Sequence, residues 1–338
     1  MTETRDKATS DGMRRTSIAK NAENDGGALP GQFFGSHDSL FIRVASGVVL
    51  GPVALIACYV GGPAFAGLIG FLVVLMAFEW TRMVAGRDPG LSFYALAVFS
   101  ALAMIAAAAG FYPLAYALAG LAGLAAFIAV RIGGAGRWAP QQNTALREHT
   151  ERSVAAPGTW TAGKWTAGAW AAVGAVYITA PSVALIWLRD GVDNGRGLIF
   201  LLFGIVWAAD SAAYLGGRFF RGPRLSPTLS PAKTWSGAVC GVIAGGLVGF
   251  FAVPTLTGIV PSGDPLDRLF YGLAGAALGL ASILGDILES AFKRVFGVKD
   301  SSGFIPGHGG VLDRLDGMIV ATVSIALILY GQILFAQF

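Results

Sequence analysis

The sequence predicts an all-α polytopic membrane protein with about nine transmembrane helices. Of its 338 residues, 54% are hydrophobic and 13% are charged. Its mean hydropathy of +0.63 is too high for an ordinary soluble domain of this length. Apolar runs of about 20 residues, the length of a helix that crosses a bilayer, recur along the chain. The predicted spans are residues 42–60, 63–82, 91–108, 111–130, 168–188, 197–217, 236–257, 269–289 and 317–336.

These spans divide the chain into four regions. Residues 1–40 are polar, carry charges of both signs and lack apolar periodicity, which predicts a disordered cytoplasmic tail and does not resemble a secretory signal. Residues 41–130 are predicted to form the N-terminal transmembrane helices, and residues 131–167 a polar cytoplasmic loop. Residues 168–338 form the remaining transmembrane region, which carries the polar motifs and is therefore the predicted catalytic part.

The distribution of Lys and Arg predicts the orientation of the chain. With nine spans, 21 of the 24 Lys and Arg residues fall on the side of the N-terminus. Because cytoplasmic loops are enriched in these residues, the N-terminus is predicted to be cytoplasmic. Ionisable residues inside spans are costly and are functional candidates by default. Four carboxylates lie within spans near the cytoplasmic ends, namely Glu79, Asp210, Asp286 and Glu289.

Small residues indicate how some of the helices pack. One small-residue face repeats every four residues, at Gly237, Gly241, Gly245 and Gly249. This face predicts close helix packing within the subunit, with formation of a homodimer as the alternative. Cys58 and Cys240 lie in apolar runs without metal-ligand spacing and are interpreted as small hydrophobic residues that do not form a disulfide.

The densest polar region runs from Asp286 to Asp316 and holds nine charged residues. Asp286, Glu289 and Lys293 have the spacing i, i+3, i+7, which places them on one face of a helix. This pattern is typical either of an interfacial row of salt bridges or of carboxylate ligands for a hard cation. Mg²⁺ prefers oxygen ligands and bridges carboxylates to substrate phosphates.

A glycine-rich motif, GHGGVLDRLDG, follows and begins at Gly307. Its paired glycines allow backbone amides to approach a phosphate closely. Asp313 and Asp316 have the spacing to share a metal, or to divide between a metal and a structural role. Arg314 has a planar guanidinium that suits a phosphate. The alternative is a turn that caps the last span.

A second polar stretch runs from Trp207 to Gly237. Asp210 and Tyr214 share a helix face near the cytoplasmic end of a span. The following loop has four cations and no acidic residue, which favours binding of anionic lipid headgroups or of nucleotide phosphates. These cations are Arg218, Arg221, Arg224 and Lys233.

Several function classes receive no support from the sequence. It contains no GxxxxGK[ST] motif and no strand-anchored GxGxxG motif, so soluble nucleotide-binding folds are not indicated. HExxH, CxxC and GxSxG motifs are absent as well. A nucleic-acid partner is not expected, because the net charge is only +4 and the membrane topology explains the cations.

Residues 290–316 resemble the signature of the phosphatidate cytidylyltransferase (CDP-diacylglycerol synthase) family. That signature reads S-x-hydrophobe-K-R-x4-K-D and then P-x-H-G-G-x-x-D-R-x-D. The matching residues are Ser290, Lys293, Arg294, Lys299, Asp300, Pro306, His308, Gly309, Gly310, Asp313, Arg314 and Asp316. The Asp-Ser-x-x-Tyr of residues 210–214 and the SPxKTW of residues 230–235 follow the family order. The sequence departs from the family at Ala232, where Lys is usual, and at Ser236, where Glu is usual.

The resemblance implies that CTP and phosphatidic acid react at the cytoplasmic face of the inner membrane, with Mg²⁺ and a possible second cation. Asp286 and Asp313 are expected to hold the metal, with Asp316 and Glu289 assisting. The expected catalytic residues are Lys293, Arg294, Lys299, Arg314 and His308, the last as a hydrogen-bond donor to a phosphate, a proton carrier or an ordering group. The expected substrate-binding residues are Asp210, Tyr214, Ser230, Lys233, Thr234, Asp300, Gly309 and Gly310.

Three alternatives remain at this stage. A secondary transporter for an anionic metabolite would also contain polar residues and glycine-interrupted helices. However, the charges crowd at one membrane face and not at the midplane, and the two halves show no repeat. A related enzyme would use CTP with another lipid acceptor, such as a polyprenol. An inactive relative is the third alternative, given Ala232 and Ser236.

Overall fold

A computed structural model describes residues 36–85, 90–133, 164–258, 265–305 and 309–335. Most of the predicted tail and of the predicted 131–167 loop therefore lies outside the described residues. The chain divides into two units, residues 1–45 and residues 46–338. In the first unit the described residues, 36–45, are the beginning of a helix, so this helix starts earlier than the predicted boundary at residue 41.

In the described part of the chain, one helix corresponds to each predicted span. The helices are α1 (Ser36–Val60), α2 (Gly62–Ala85), α3 (Leu91–Ala108), α4 (Tyr112–Gly133), α5 (Lys164–Ile186), α6 (Gly195–Phe220), α7 (Trp235–Thr257), α8 (Pro265–Val295) and α9 (Leu312–Phe335). A π-helical turn, Trp187–Gly191, follows α5. Two short strands, β1 (Arg224–Ser226) and β2 (Ser230–Thr234), lie between α6 and α7.

Helices α2 to α8 are long and apolar enough to cross a membrane, which makes seven such helices among the described residues. The predicted class, an all-helical multi-pass membrane protein, is confirmed. Helices α1 and α9 are not among the seven. The count of nine spans therefore stays a prediction.

Helix α7 shows how the glycine face is used. Its four glycines at positions 237, 241, 245 and 249 are all buried. A Cβ atom at Gly237 would lie 2.6 Å from the carbonyl oxygen of Ala213 on α6, and one at Gly249 would lie 2.3 Å from that of Tyr271 on α8. The glycines thus let α7 pack directly against α6 and α8. The prediction of close packing within the subunit is confirmed.

The opposite face of α7 carries large apolar side chains that remain between 54% and 65% exposed. They are Trp235, Val239, Ile243, Leu247 and Phe251, again spaced by four residues. An exposed apolar stripe of this length suits contact with lipid tails. Helix α7 therefore has one face for helix packing and one for the bilayer.

Aromatic packing joins α2, α5 and α8. Trp80 on α2 is fully buried, and its Nε1 donates to the carbonyl oxygen of Trp170 on α5 at 2.9 Å. Its ring meets the ring of Phe292 on α8 and that of Phe296, the residue that follows α8, edge to face, at 5.2 and 5.7 Å between centroids. A Cβ atom at Gly174 would collide with the indole, so this contact needs a glycine on α5. These contacts fix the end of α2 against α8.

The far end of the bundle is held by Arg189, which follows α5. Its Nε donates to the carbonyl oxygen of Cys58 at 2.6 Å, and its Nη2 donates to that of Tyr59 at 3.2 Å. These carbonyls lie at the end of α1, where the helix supplies no N–H donor for them, so the guanidinium caps them. Cys58 is buried and Cys240 half-buried, and both are free thiols, as the sequence predicted.

The strands form an antiparallel hairpin that leads into α7. Arg224 pairs with Thr234, and Ser226 pairs with Ser230. Thr234 is the N-cap of α7, because its Oγ1 accepts the amide N–H of Gly237 at 3.1 Å. The hairpin therefore places Lys233, one residue before the cap, beside the neighbouring helices.

Candidate active site

The two polar stretches of the sequence meet at one end of the bundle. Lys233 on β2 forms an ion pair with Asp286 on α8, although 53 residues separate them. Arg294, at the end of α8, donates through Nε to the carbonyl oxygen of Leu229 in the hairpin at 3.3 Å. The hairpin therefore packs against the end of α8, as expected if both stretches contribute to one site.

The first group of charges is the aspartate cluster, defined as Asp210, Asp286, Asp316, Ser282 and Lys233. Ser282 donates through its hydroxyl to Asp210 Oδ1 at 3.4 Å. Asp286 lies close enough to Asp210 and Asp316 for their charges to interact directly. Three carboxylates from three helices thus lie near one another, and the ammonium group of Lys233 pairs with the one on α8.

Close contact between α8 and α9 creates this cluster. A Cβ atom at Gly285 would lie 2.4 Å from the carbonyl oxygen of Asp316. A Cβ atom at Gly317 would lie 2.4 Å from the hydroxyl oxygen of Ser282. Larger residues at these two glycines would separate the helices, and with them Asp286 from Asp316.

The second group lies around the signature loop, which is defined as residues 296–311 and connects α8 to α9. Lys293 forms an ion pair with Glu289, and its Nζ donates to Asp313 Oδ1 at 2.9 Å. Glu289 is 1% exposed, so this ion pair is buried. Apart from that ion pair, no hydrogen bond reaches either Glu289 oxygen from the described residues. Lys293 therefore links two carboxylates and does not point freely into solvent.

Asp313 also binds the backbone of the signature loop. Its Oδ2 accepts the amide N–H groups of Gly310 at 2.9 Å and of Ser301 at 3.1 Å. Both carboxylate oxygens of Asp313 are therefore occupied by protein donors. The amide of Gly310, one of those predicted to approach a phosphate, points instead at Asp313. Gly309 has φ +85°, a conformation that favours glycine and turns the chain toward α9.

Glu79 is a site residue that the sequence marked only as an intramembrane carboxylate. It lies near the end of α2, is fully buried, and accepts the amide N–H groups of Val311 and Leu312, each at 2.8 Å. The hydroxyls of Ser301 and Ser302 donate to it as well. In the sequence, the only sign of a role for Glu79 was that a carboxylate lies in an apolar run. Its partners are more than 220 residues away and could not be identified from the sequence.

The hydroxyl groups of two residues in the hairpin region accept hydrogen bonds from backbone amides. Thr234, predicted to bind substrate, caps α7 as described above. Ser236, which stands where the family usually has Glu, accepts the amide N–H of Gly222 at 3.2 Å through its hydroxyl. Tyr214 is 65% exposed, and its hydroxyl accepts from Arg218 Nη1 at 3.2 Å.

The remaining predicted residues differ in exposure. Lys299, Asp300, Arg294 and Arg314 are exposed, and Ser230 is half-buried in β2. Arg314 interacts electrostatically with Asp210. Pro306 and His308 lie outside the described residues.

Tyr177 on α5 is a site neighbour that the sequence did not reveal. Its ring packs against Phe292 at 5.3 Å, and its hydroxyl is buried without a hydrogen-bond partner among the described residues. The charges of Asp316, Glu289 and Asp286 act on this hydroxyl. A tyrosine in an apolar span carries no signal that distinguishes it from an ordinary core residue.

The donor chemistry of the aspartate cluster suits a hard cation. In the described part of the chain, no group of three or more His, Cys, Asp or Glu side chains completes a metal site by itself. Mg²⁺ usually keeps several waters and takes only one or two carboxylates plus substrate phosphates. Asp286 and Asp316 fit that requirement, with Asp210 nearby and accessible. The arrangement can therefore hold a cation next to Lys233 and receive anionic phosphates.

Comparison with known proteins gives a consistent result. Residues 41–331 match the profile of the cytidylyltransferase family. The chain is 30% identical over 298 residues to a phosphatidate cytidylyltransferase of Brucella suis, which covers 87% of this chain and 94% of the relative. It is 34% identical over 290 residues to one from Pseudomonas aeruginosa, covering 86% and 96%. A third, from Rickettsia conorii, is 40% identical over 160 residues, covering 46% and 67%.

Proposed function

The chain belongs to the cytidylyltransferase family, and on that basis we propose that it transfers the CMP group of CTP to phosphatidic acid. The products are CDP-diacylglycerol and pyrophosphate. The observation that carries this proposal is the gathering of the signature residues beside Asp210 and Lys233, at one end of a bundle of membrane-spanning helices.

The reaction needs positioning and charge neutralisation more than it needs a base. An oxygen of the lipid phosphate attacks the α-phosphorus of CTP, and a new P–O bond forms. The bond from the α-phosphorus to the oxygen that bridges to the β-phosphorus breaks, and pyrophosphate leaves with that electron pair. Because the nucleophile is already anionic, the site must mainly hold two negatively charged substrates in line.

The aspartate cluster supports the proposal of a divalent cation such as Mg²⁺. We assign Asp286 and Asp316 as its protein ligands, with Asp210 able to contribute to it or to a second cation. When bound, the cation would neutralise phosphate charge and orient phosphate oxygens. Asp313 and Glu289, which the family resemblance also suggested for the metal, are engaged by Lys293. In this proposal Asp313 orders the signature loop.

The cations around the cluster are assigned to the phosphates. Lys233 lies within the cluster, so a metal at Asp286 would free its ammonium group for a substrate phosphate. Arg294 and Arg314 are exposed at the same end, as is Lys299 on the signature loop. Guanidinium groups bind phosphate with two parallel hydrogen bonds, which favours the arginines for holding the triphosphate.

The distribution of Lys and Arg supports an active site at the cytoplasmic face of the inner membrane. CTP would then reach the site from the cytoplasm and phosphatidic acid from the inner leaflet. Three exposed cations suit a lipid phosphate: Arg218 in the last turn of α6, and Arg221 and Arg224, which follow that helix.

The test follows two labels of CTP separately. Purified protein in detergent is supplied with phosphatidic acid, Mg²⁺ and CTP labelled on either the α- or the γ-phosphate, with a polyprenol as the competing acceptor. We expect the α-label in the lipid phase and the γ-label in pyrophosphate, with loss of both in EDTA. Transfer of the γ-label to lipid would identify a kinase, and absence of lipid label from folded protein would refute the proposal.

A further inference from the structure

Glu79 makes four contacts with one short part of the chain. Its Oε1 accepts the amide N–H of Val311 at 2.8 Å and the hydroxyl of Ser302. Its Oε2 accepts the amide N–H of Leu312 at 2.8 Å and the hydroxyl of Ser301 at 3.3 Å. These partners lie on both sides of residues 306–308, three of them within the signature loop and Leu312 directly after it. One carboxylate on α2 therefore holds both described arms of that loop.

The free energy needed to bury the Glu79 carboxylate indicates that its hydrogen bonds are important for the structure. Glu79 is fully buried within a membrane-spanning helix. A carboxylate there is unfavourable unless its oxygens are hydrogen-bonded. Two of its donors, Val311 and Leu312, are amides at the start of α9, which have no partner inside the helix and favour a negative charge. Glu79 and the start of α9 thus satisfy each other.

The loop is held from two directions. Ser301 donates its hydroxyl to Glu79 and its amide N–H to Asp313, so the two carboxylates share it. Gly310 lies between them, because a Cβ atom there would come within 1.9 Å of Ser301 Oγ and 2.7 Å of Glu79 Oε1. Any displacement of Glu79 therefore moves the groups that orient Asp313, and through Asp313 it moves Lys293.

Helix α2 is itself rigidly placed. Trp80, the next residue, packs edge to face against Phe292, which lies on the same helix as Asp286 and Lys293, and its Nε1 donates to the carbonyl oxygen of Trp170 on α5. The position of Glu79 relative to α8 is therefore set by packing and not by the loop. Functional groups are held most precisely when the supporting residues lie on rigid elements.

We propose that Glu79 is a positioning residue for cytidylyl transfer. It holds the signature loop against α2, so that Asp313 and Lys293 keep their places beside the aspartate cluster. This role gives α2, which lies in the N-terminal half of the chain, a function in the reaction beyond helix packing. The effect expected on kcat rests on the proposed function. The effect expected on amide hydrogen exchange in the loop does not.

The experiment compares Glu79→Gln and Glu79→Asp in the full-length protein. The Gln side chain presents an NH₂ group to donors, so it loses at least one contact, whereas Asp keeps the charge on a shorter side chain. For Glu79→Gln we expect kcat to fall by about 10- to 100-fold, the KM for phosphatidic acid to change by less than about twofold, and Glu79→Asp to recover part of kcat. Amide hydrogen exchange at Val311 and Leu312 should accelerate in the Gln variant, while exchange in α7 stays unchanged.

Two further variants serve as controls. Ser100→Ala removes a buried hydroxyl that bonds Thr179 at 2.7 Å between α3 and α5, and it should leave kcat unchanged. Ser302→Ala removes one donor to Glu79 and retains the charge. Ser302→Ala should lower kcat by about threefold. If Glu79→Gln does not fold, this variant tests whether the contacts of Glu79 with the loop support catalysis.

Wild-type kcat in Glu79→Gln with accelerated exchange would overturn the proposal. The proposal would also be overturned if Glu79→Gln lost activity only in proportion to a fall in its melting temperature, while both Glu79→Asp and Ser302→Ala kept the wild-type kcat. If the wild-type protein forms no labelled lipid, the proposed function fails, and hydrogen exchange alone then decides whether Glu79 holds the loop.

Discussion

The two groups of carboxylates at the active end of the bundle use the same residue types in opposite ways. Around the signature loop, both oxygens of Glu79 and of Asp313 accept hydrogen bonds from amides, hydroxyls or Lys293. Among the described residues, each carboxylate of the aspartate cluster accepts fewer of the hydrogen bonds reported above than Glu79 does. Lys233 reaches Asp286, Ser282 reaches Asp210, and the amide of Gly317 reaches Asp316. The difference separates carboxylates that hold the protein from carboxylates that remain available to a cation.

The largest expected effect follows from neutralising the aspartate cluster. Asp286→Asn removes the charge that lies between Asp210 and Asp316 and leaves Lys233 without its ion-pair partner. Turnover should fall on the order of 10³-fold, because a metal ligand and its charge are lost together. The measurement is labelled lipid formed by protein whose melting temperature and detergent gel filtration match the wild type. Activity within about tenfold of wild type would contradict the assignment of Asp286.

A smaller and different effect is expected in the other group. Asp313→Asn keeps one acceptor oxygen but loses the charge that pairs with Lys293 and replaces an acceptor with a donor facing the loop amides. Turnover should fall by about 10²-fold, at an unchanged Mg²⁺ requirement, because the loop is displaced while the cation site is retained. Mg²⁺ titration of the rate checks this expectation. A Mg²⁺ requirement that rises in parallel with the lost activity would make Asp313 a ligand.

The smallest effect is expected at Thr234. Its hydroxyl oxygen accepts the amide of Gly237 and contacts the Ser236 hydroxyl at 3.1 Å, so it too is occupied by the protein. Thr234→Ala should cost about 1 kcal/mol of stability, as is usual for an N-cap. The KM for CTP should stay within about twofold of wild type. Thermal unfolding and initial rates measure the two quantities, and a large rise in KM at unchanged stability would restore Thr234 to substrate binding.

The sequence predicted the helices and the family, for physical reasons that are local. Apolar runs of membrane length, and the repeat from Gly237 to Gly249, depend on composition and on helical spacing. The signature between Ser290 and Asp316 marked the right end of the bundle. Each of these patterns lies within a single stretch of chain.

The division of roles among the carboxylates was not visible in the sequence. Asp286 and Asp313 are the same residue type in one motif, and what distinguishes them is the number of donors that the fold brings to each. Those donors come from distant positions, such as Lys233 for Asp286. Glu79 shows the same limit, since its partners lie at Ser301, Ser302, Val311 and Leu312.

The most direct test of this division measures cation binding without turnover. Mn²⁺ would replace Mg²⁺, and its binding to purified wild-type protein, Asp316→Asn and Asp313→Asn would be followed by electron paramagnetic resonance in the presence of CTP. Our account predicts that Asp316→Asn weakens binding by at least about tenfold, whereas Asp313→Asn binds Mn²⁺ as the wild type does. Loss of binding in Asp313→Asn, with wild-type affinity in Asp316→Asn, would contradict it.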